Sequence, residues 1–429
     1  MSRQELAGNN NQVPPGEGMG YKKSAIGLIP EDWEVKQLKN IAPLQRGFDL
    51  PTSQLKKGSY PVVYSNGVMN YHAQFIVSSP GVITGRSGTI GNVHYIEQNY
   101  WPHNTTLWVT SFINSHPKYI YYLYTSIKLA RFGTGSGVPT LNRNDVHELN
   151  IAIPPLPEQK AIASVLSDVD ELISSLDKLI AKKRHIKTAT MQQLLTGKTR
   201  LPGFGEGKGY KKSAKGMGYK KSAIGLIPED WEVKQIHQII EVDPENLISK
   251  THPDYEFKYI SLEDVNNGYL SSYSNQTFSK APSRARRILR YQDILFATVR
   301  PNLKSHLFFN KNESDWICST GFAVLRCKEN QSSSGFIFAY LFGRAITSQI
   351  ETLISGSNYP AVNNNDVKHL KILLPPLPEQ KAIASVLSDM DKEIAALEKR
   401  RAKTQGIKQG MMQELLTGRT RIINNYNGE

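Results

Sequence analysis

The strongest constraint on this chain is a long stretch that occurs twice with no residue inserted or lost. Pro154–Gly197, which begins PPLPEQKAIASVLSD, returns almost unchanged as Pro375–Gly418, and both ends are offset by the same distance (375 − 154 = 221; 418 − 197 = 221). A segment that keeps its register over such a length is typical of a continuous rod. The simplest rod is a long α-helix, so the sequence predicts two of them.

The residues at both ends of each copy support a helix. Pro157, followed by Glu158 and Gln159, suits a first turn, where no N–H is needed and negative charge meets the helix dipole. Gly197 and Gly418 suit the position just after a helix. Each helix is expected to hold about 40 residues and to measure roughly 60 Å, at 1.5 Å per residue.

Apolar residues recur along both copies at alternating steps of three and four, as in the seam of a coiled coil. The predicted seam consists of Ile162, Val165, Val169, Leu172, Leu176 and Leu179 in the first helix and of Ile383, Val386, Met390, Ile394 and Leu397 in the second. Lys183 interrupts the first stripe. Neither stripe can remain in water alone, so the two helices are expected to pair. Two unrelated core helices are the alternative.

A second repeat shows that the chain is a tandem duplication. Met19–Gln37 recurs unchanged as Met217–Gln235 (217 − 19 = 198), so each half runs from this opening motif through a variable region to a long helix. The variable regions, 38–150 and 236–371, differ in length by 23 residues (221 − 198 = 23). They share only the short patterns GSGVPTLNRNDV and GSNYPAVNNNDV, again 221 residues apart. A constant frame around divergent inserts indicates one architecture with two specificities.

Each variable region is predicted to be a small mixed α/β domain. Stretches such as VITGRSGTIGNVHYI and ILFATVRPNLKSHLFF predict short strands with exposed turns. The segments KYIYYLYTSIKLARF and GFIFAYLFGRAITSQIETLI predict helices, whose aromatic rings we interpret as core rather than as base-stacking groups.

The repeats divide the chain into seven predicted segments. These are a disordered leader (1–18), a first variable domain with its opening motif (19–150), a first long helix (151–198), a basic Gly/Lys linker (199–217), a second variable domain with its opening motif (218–371), a second long helix (372–420) and a tail (421–429). The linker contains GYKKSAKGM, which nearly duplicates the GYKKSAIGL that follows it.

Charge and cysteine content restrict the setting of the protein. Lys plus Arg exceeds Asp plus Glu by 14 (52 − 38 = 14), and the pI is near 9.4. A chain this basic commonly meets a polyanion, with plain solubilising charge as the alternative. No apolar run reaches the roughly 18 residues needed to span a bilayer. Cys318 and Cys327 form no CxxC pair, which favours a reducing, cytoplasmic setting over a disulfide scaffold.

Motifs for catalysis are approached but not completed. The GKT at Gly197–Thr199 lacks the leading glycine of a P-loop, because Gln192 stands where that glycine is required. The carboxylates and lysine of PDYEFK lie too close together for a metal-dependent nuclease, and the histidines show no HExxH spacing. The sequence therefore predicts no catalytic residue and no metal site in this chain.

The frame as a whole resembles the specificity subunit of type I restriction-modification systems. The resemblance is carried by PPLPEQKAIASVL and LLTG at the two ends of each long helix, by the GLIPEDWEV openings and by the TVRP turn at Thr298–Pro301, and it covers nearly the whole chain. It implies an α+β fold in which two mixed α/β target recognition domains are separated by two long helices. By the resemblance, these helices form an antiparallel coiled coil with pseudo-two-fold symmetry.

The resemblance also implies partners and cofactors. Two modification subunits would dock on the long helices and methylate DNA with S-adenosylmethionine, and restriction subunits would add translocation and cleavage with ATP and Mg. The specificity subunit itself would bind double-stranded DNA and have no active site. Because the two inserts differ, the expected target is bipartite and asymmetric, with one short half-site for each domain.

Polar side chains on the predicted turns are the candidates for DNA contact, since arginine can bind guanine and asparagine adenine through two hydrogen bonds. They are Tyr64, Ser65, Asn66, Arg86, Ser87, Thr89 and Ser136 in the first domain and Arg284, Arg286, Arg287, Arg300, Asn302, Lys304, Ser357, Asn358 and Tyr359 in the second. Ordinary surface polarity or a phosphate contact is the alternative for each. Ser136 and Ser357 could instead hold their turns.

Two rival functions remain open at this point. One is a recognition protein that has kept its own nuclease or methyltransferase activity, and the other is a coiled-coil adaptor without base readout. The first predicts turnover by the chain alone. The second predicts no preference among DNA sequences.

Overall fold

The computed structural model describes residues 20–135, 137–205, 218–222, 225–354 and 360–422. The predicted leader, the greater part of the linker, and the candidates Ser136, Ser357, Asn358 and Tyr359 lie outside these ranges. The chain forms two compact units, Met1–Asp177 with Lys399–Glu429, and Lys178–Glu398. Each unit therefore contains one variable domain and part of both long helices, whereas the predicted borders fall at the helix ends.

The first unit and the long helix that leaves it contain the following elements. Its strands are β1 (Tyr21–Ser24), β2 (Gly27–Pro30), β3 (Glu34–Gln37), β4 (Leu44–Arg46), β5 (Tyr60–Tyr64), β6 (Gly67–His72), β7 (Gly81–Gly85), β8 (Val93–Ile96), β9 (Trp101–Pro102), β10 (Thr106–Val109), β11 (Gly133–Thr134), β12 (Thr140–Leu141) and β13 (Asn150–Ile153). Its helices are α1 (Pro117–Ser126), α2 (Arg143–His147) and α3 (Leu156–Leu194).

The second unit follows the same plan. Its strands are β14 (Tyr219–Ser222), β15 (Gly225–Pro228), β16 (Glu232–Gln235), β17 (Ile240–Val242), β18 (Glu256–Ile260), β19 (Val265–Asn266), β20 (Tyr269–Leu270), β21 (Ser274–Thr277), β22 (Ala285–Ile288), β23 (Ile294–Ala297), β24 (Leu307–Phe308), β25 (Trp316–Ser319), β26 (Phe322–Cys327) and β27 (Lys371–Leu374). Its helices are α4 (Ile236–Ile239), α5 (Ser334–Leu341), α6 (Arg344–Ile354), α7 (Asn364–His369) and α8 (Leu377–Leu415).

The two long helices, α3 and α8, confirm the first prediction from the repeat. Each has 39 residues, which corresponds to roughly 58 Å. The glycines that follow them adopt left-handed backbone, with φ +69° at Gly197 and φ +72° at Gly418. A Cβ at Gly197 would lie 2.6 Å from Cγ of Pro228, so only glycine allows the helix end to approach the opening motif this closely.

Ion pairs show that the long helices run antiparallel within each unit. In the first unit Asp170 pairs with Lys408 at 2.6 Å, and Asp177 pairs with Arg401. In the second unit Lys183 pairs with Glu393 and Arg184 with Glu398, both at 2.6 Å, and Lys187 pairs with Asp391. Within each unit, residues later in α3 pair with residues earlier in α8. Lys183 and Arg184, which are adjacent, are the exception to this order. The Asp170–Lys408 and Lys187–Asp391 pairs are equivalent at the repeat offset of 221, so the same contact recurs in both units.

The apolar stripe of α3 differs from the predicted seam at every second position. Leu166 and Ile180 are buried and Ile173 is half-buried, whereas the predicted Leu172 and Leu179 are 40% and 38% exposed. The sequence offers doublets at 165–166, 172–173 and 179–180, and either member keeps a three-four spacing. The structure selects the second member of each. In α8 the predicted Ile383 and Ile394 are buried and Met390 and Leu397 are half-buried, but Leu387 is buried where Val386 was predicted, and Val386 is half-buried.

Each variable domain contains a four-stranded sheet of the same strand order. Its order is β4-β10-β7-β8 in the first unit and β17-β26-β23-β24 in the second. A second sheet differs between them, with order β6-β5-β9 in the first and β21-β18-β25-β22 in the second. The predicted aromatic core is present, since Tyr119, Tyr122 and Tyr124 on α1 are buried beside the four-stranded sheet.

The frame joins each variable domain at the same backbone position in both units. Strand β3 pairs with β13 so that Gln37 faces Asn150, and β16 pairs with β27 so that Gln235 faces Lys371. The chain therefore enters and leaves each variable domain between neighbouring strands. Domains of different length fit the same frame for this reason.

An arginine that follows each long helix binds both an opening motif and the start of the other long helix. In the second unit Arg200 donates to Asp230 at 2.9 and 2.8 Å and to Glu379 at 2.6 Å, and the Trp231 indole donates to Glu379 at 3.1 Å. We call this set the second clamp. Leu201 packs against the adjacent core. The predicted flexible linker therefore begins later than Thr199, because its first residues are bound.

The first clamp repeats this arrangement in the first unit. Arg421 donates to Asp32 at 2.8 and 2.7 Å and to Glu158 at 2.6 and 2.7 Å, and the Trp33 indole donates to Glu158 at 3.0 Å. Each clamp joins the end of one long helix, an opening motif and the start of the other long helix. The repeats thus place the same four residue types at both sites.

Candidate nucleic-acid interface

In the first unit, the loop that follows β7 carries three of the predicted candidates. Backbone hydrogen bonds fix it on two sides: Arg86 N donates to Thr105 O at 2.8 Å, and Gly88 N donates to Pro139 O at 3.0 Å. Leu141 N in turn donates to Arg86 O at 2.7 Å. We call residues 86–90 the first strand-end loop. Gly88 within it has φ +81° and is exposed.

The YSNG turn lies against this loop. An ideal Cβ on Gly85 would lie 3.1 Å from Cβ of Ser65, and one on Gly88 would lie 3.8 Å from Oγ of Ser65. Asn66, at the tip of the turn, is exposed. The predicted candidates Tyr64, Asn66, Arg86, Ser87 and Thr89 therefore belong to one continuous surface, whereas the predicted Ser65 is buried against the loop.

His103 and Asn104 also belong to this surface, although sequence reasoning missed them. The ring of His103 lies 4.3 Å from the ring of Tyr64, and burial lowers the pKa of His103 against an opposing effect of Asp49. A neutral imidazole can donate or accept a hydrogen bond. Arg86 Nε donates to the backbone oxygen of Asn104 at 3.0 Å, so this arginine also supports the loop. The segment WPHNTT lies outside every repeat, which removes the signal that marked the other turns.

In the second unit, the corresponding loop follows β23. Thr298 donates to Gly321 O from its N at 2.9 Å and from Oγ1 at 2.8 Å, and Arg300 N donates to Pro360 O at 2.7 Å. Val362 N donates to Thr298 O at 2.9 Å. We call residues 298–304 the second strand-end loop. Its candidates Arg300 and Asn302 are exposed, and Lys304 Nζ donates to Phe342 O at 3.2 Å.

A buried histidine supports the second strand-end loop from below. His306 Nδ1 accepts from Ala297 N at 3.1 Å, and its ring stacks on Phe296 with centroids 4.5 Å apart. Burial, assisted by the charge of Lys304, lowers the pKa of His306 to about 3. The imidazole is therefore neutral at physiological pH. The loop is thus flanked in sequence by a buried pair of stacked rings, Phe296 and His306.

The three arginines of SRARR have different surroundings. Arg284 is exposed and lies at the loop, because its carbonyl accepts from Thr320 N beside Gly321. Arg286 lies over the Phe278 ring at 5.0 Å. Arg287 is bound to Asp243 at 2.9 Å and to Asn246, so a base contact by its guanidinium requires this pair to open. DNA contact by these three residues stays a prediction.

Two further searches concern only the described part of the chain. It contains no group of three or more His, Cys, Asp or Glu side chains placed to hold a metal ion. None of its helices is long and apolar enough to cross a membrane.

Comparisons with known proteins show which family this sequence matches. The family model for the type I restriction modification DNA specificity domain matches twice, at residues 30–183 and 228–408. The MjaVIII specificity subunit of a type I restriction enzyme from Methanocaldococcus jannaschii is 27% identical over 71% of this chain and 71% of its own length. The MjaIX specificity subunit from the same organism is 22% identical over 94% of this chain and 96% of its own.

A solved structure shows the same fold. The S subunit of a type I restriction-modification system from M. genitalium superposes with a TM-score of 0.58 at 15% identity, over 94% of this chain and 98% of that one. Each match to the family model covers the end of an opening motif, a variable domain and most of a long helix, and together they span most of the sequence. The chain belongs to the family of type I restriction-modification DNA specificity subunits.

Proposed function

We propose that this chain reads a bipartite, asymmetric DNA target, with one variable domain for each half-site. The observation that carries the proposal is the pair of strand-end loops. Each loop follows the third strand in the order of its own domain's four-stranded sheet, and equivalent backbone hydrogen bonds hold both loops. Their exposed side chains nevertheless differ. A constant support with variable side chains is what two different base-reading surfaces require.

The basic charge of the chain supports phosphate binding around these loops. A net charge of +14 favours association with a polyanion and makes affinity fall as salt rises. Phosphate contacts position a protein on DNA without selecting sequence. The strand-end loops, the YSNG turn and Arg284 would then supply the selection.

We further propose that the chain acts as a non-catalytic scaffold in the cytoplasm. Two modification subunits would bind the long helices, one for each half of the repeat, and would supply S-adenosylmethionine chemistry. Restriction subunits would add ATP- and Mg-dependent translocation and cleavage. The exact repetition of the opening motif supports two equivalent partner sites.

Co-expression with its modification subunit tests the proposal. Methylated positions mapped across a genome by long-read sequencing are expected to fall in one split, asymmetric motif. A complex that forms but gives no motif would favour the adaptor without base readout. Methylation or cleavage by the purified chain without a partner would favour an enzyme.

A further inference from the structure

The two strand-end loops can be aligned residue by residue, although their sequences share no pattern. Arg86 N and Thr298 N each donate to the residue just before the neighbouring strand, Thr105 or Gly321. The carbonyls of Arg86 and Thr298 in turn accept from Leu141 N and Val362 N, which lie two residues after Pro139 and Pro360. Two residues later, Gly88 N and Arg300 N donate to the carbonyl of that proline, Pro139 or Pro360. Gly88 and Arg300 therefore occupy the same position, and Arg86 and Arg300 do not.

This shared position demands an unusual backbone conformation. Gly88 has φ +81° and Arg300 has φ +47°. Glycine adopts left-handed backbone freely, whereas an L side chain does so at a cost. The second domain thus keeps an arginine where the fold favours glycine. Strain of this kind is typical of functional positions.

Within the part of the chain that the structure describes, the guanidinium of Arg300 has no partner. The side chain is exposed, and no described residue accepts a hydrogen bond from it or pairs with its charge. Two other arginines of the domain are occupied: Arg326 pairs with Asp293 and Glu245, and Arg290 with Glu245. Arg300 also precedes a 3-10 turn, Pro301–Leu303, which fixes the loop on the far side.

The equivalent residue in the first domain, Gly88, has no side chain. Among the described residues, a Cβ added to Gly88 would come within 4 Å only of Oγ of Ser65, at 3.8 Å. The backbone there can approach a ligand directly, and a Cβ can be added without a clash, although the left-handed backbone strains any L side chain. The frame is the same in both domains, and only the projecting group changes.

We infer that position 88/300 gives the two domains different contacts with DNA, and that Arg300 reads a guanine in the half-site of the second domain. This inference rests on the proposed function. A guanidinium can donate two hydrogen bonds to O6 and N7 of guanine in the major groove. Glycine at the same position offers no such contact, so the first domain reads its corresponding base pair by other groups or not at all.

The test uses the complex with its modification subunits and the duplex motif found for the unchanged protein, with each position of both half-sites substituted in turn. Arg300→Gly is expected to reduce the preference for guanine at one position of one half-site by about 5- to 150-fold. The other half-site should be read as before. Arg300→Lys keeps the charge but not the planar guanidinium, so it should retain only part of the preference for guanine.

Gly88→Arg is the reciprocal variant and should change the preference in the other half-site only. Thermal unfolding of each variant shows whether the domain is still folded. The inference is overturned if Arg300→Gly leaves every preference unchanged, or if it weakens binding equally for all sequences, as loss of a phosphate contact would. An unchanged protein without any split motif would instead refute the proposed function.

Discussion

Replacing Leu176 with Asp is expected to destabilise the helix pair and to release the partner subunits. Leu176 is 4% exposed and lies on the inward stripe of α3. Truncation of a buried leucine alone costs about 2–5 kcal/mol, and an unpaired carboxylate in its place adds a desolvation penalty. Denaturant unfolding, together with co-purification of the modification subunit, measures both effects.

Leu172→Asp is the matched control. It lies one turn earlier on the same helix and is 40% exposed, so its effect on unfolding should stay within about 0.5 kcal/mol. Equal damage by the two substitutions would restore the seam predicted from the sequence. A fully stable Leu176→Asp variant would show that α3 does not pack through this stripe.

Replacing Arg200 with Ala is expected to cause a loss of similar size. The side chains of Arg200 and Glu379 are 4% and 0% exposed, so the substitution leaves a carboxylate buried without its cation. Breaking a buried pair from one side typically costs about 3–5 kcal/mol. Unfolding followed by tryptophan fluorescence should report the loss, because Trp231 donates to the same carboxylate.

Two further variants separate charge from packing in the clamps. Adding Glu379→Gln to Arg200→Ala removes the unpaired charge and should recover part of the lost stability. Arg421→Ala breaks the first clamp and should destabilise the first unit by a comparable amount. If Arg200→Ala unfolds with unchanged stability and the double variant is no more stable, the second clamp contributes little to the stability of the second unit.

The architecture was predictable because the duplication constrains it strongly. A constant offset required a rod, and the residues at its ends located both 39-residue helices closely. The seam was harder, since doublets such as Leu172-Ile173 satisfy either register. Comparison between the copies could have decided it, because Glu393 and Ile394 stand at the corresponding positions of α8. Only the second member of that pair is apolar in both copies.

The clamps and the loop alignment show two different limits of sequence reasoning. Arg200 and Arg421 stand at the repeat offset, and so do their glutamate partners, so the signal for the clamps was present in the repeats. The equivalence of Gly88 and Arg300 had no such signal. The variable regions differ in length and in residues, and only the hydrogen-bond register shows which positions correspond.

The most direct test of the account replaces residues 38–150 with a second copy of residues 236–371. The junctions coincide, because Gln37 faces Asn150 as Gln235 faces Lys371. Co-expressed with the modification subunit, the chimera should methylate a motif with two copies of the second half-site as an inverted repeat. The original asymmetric motif, or methylation without sequence preference from an assembled complex, would show that the variable domains do not read the half-sites.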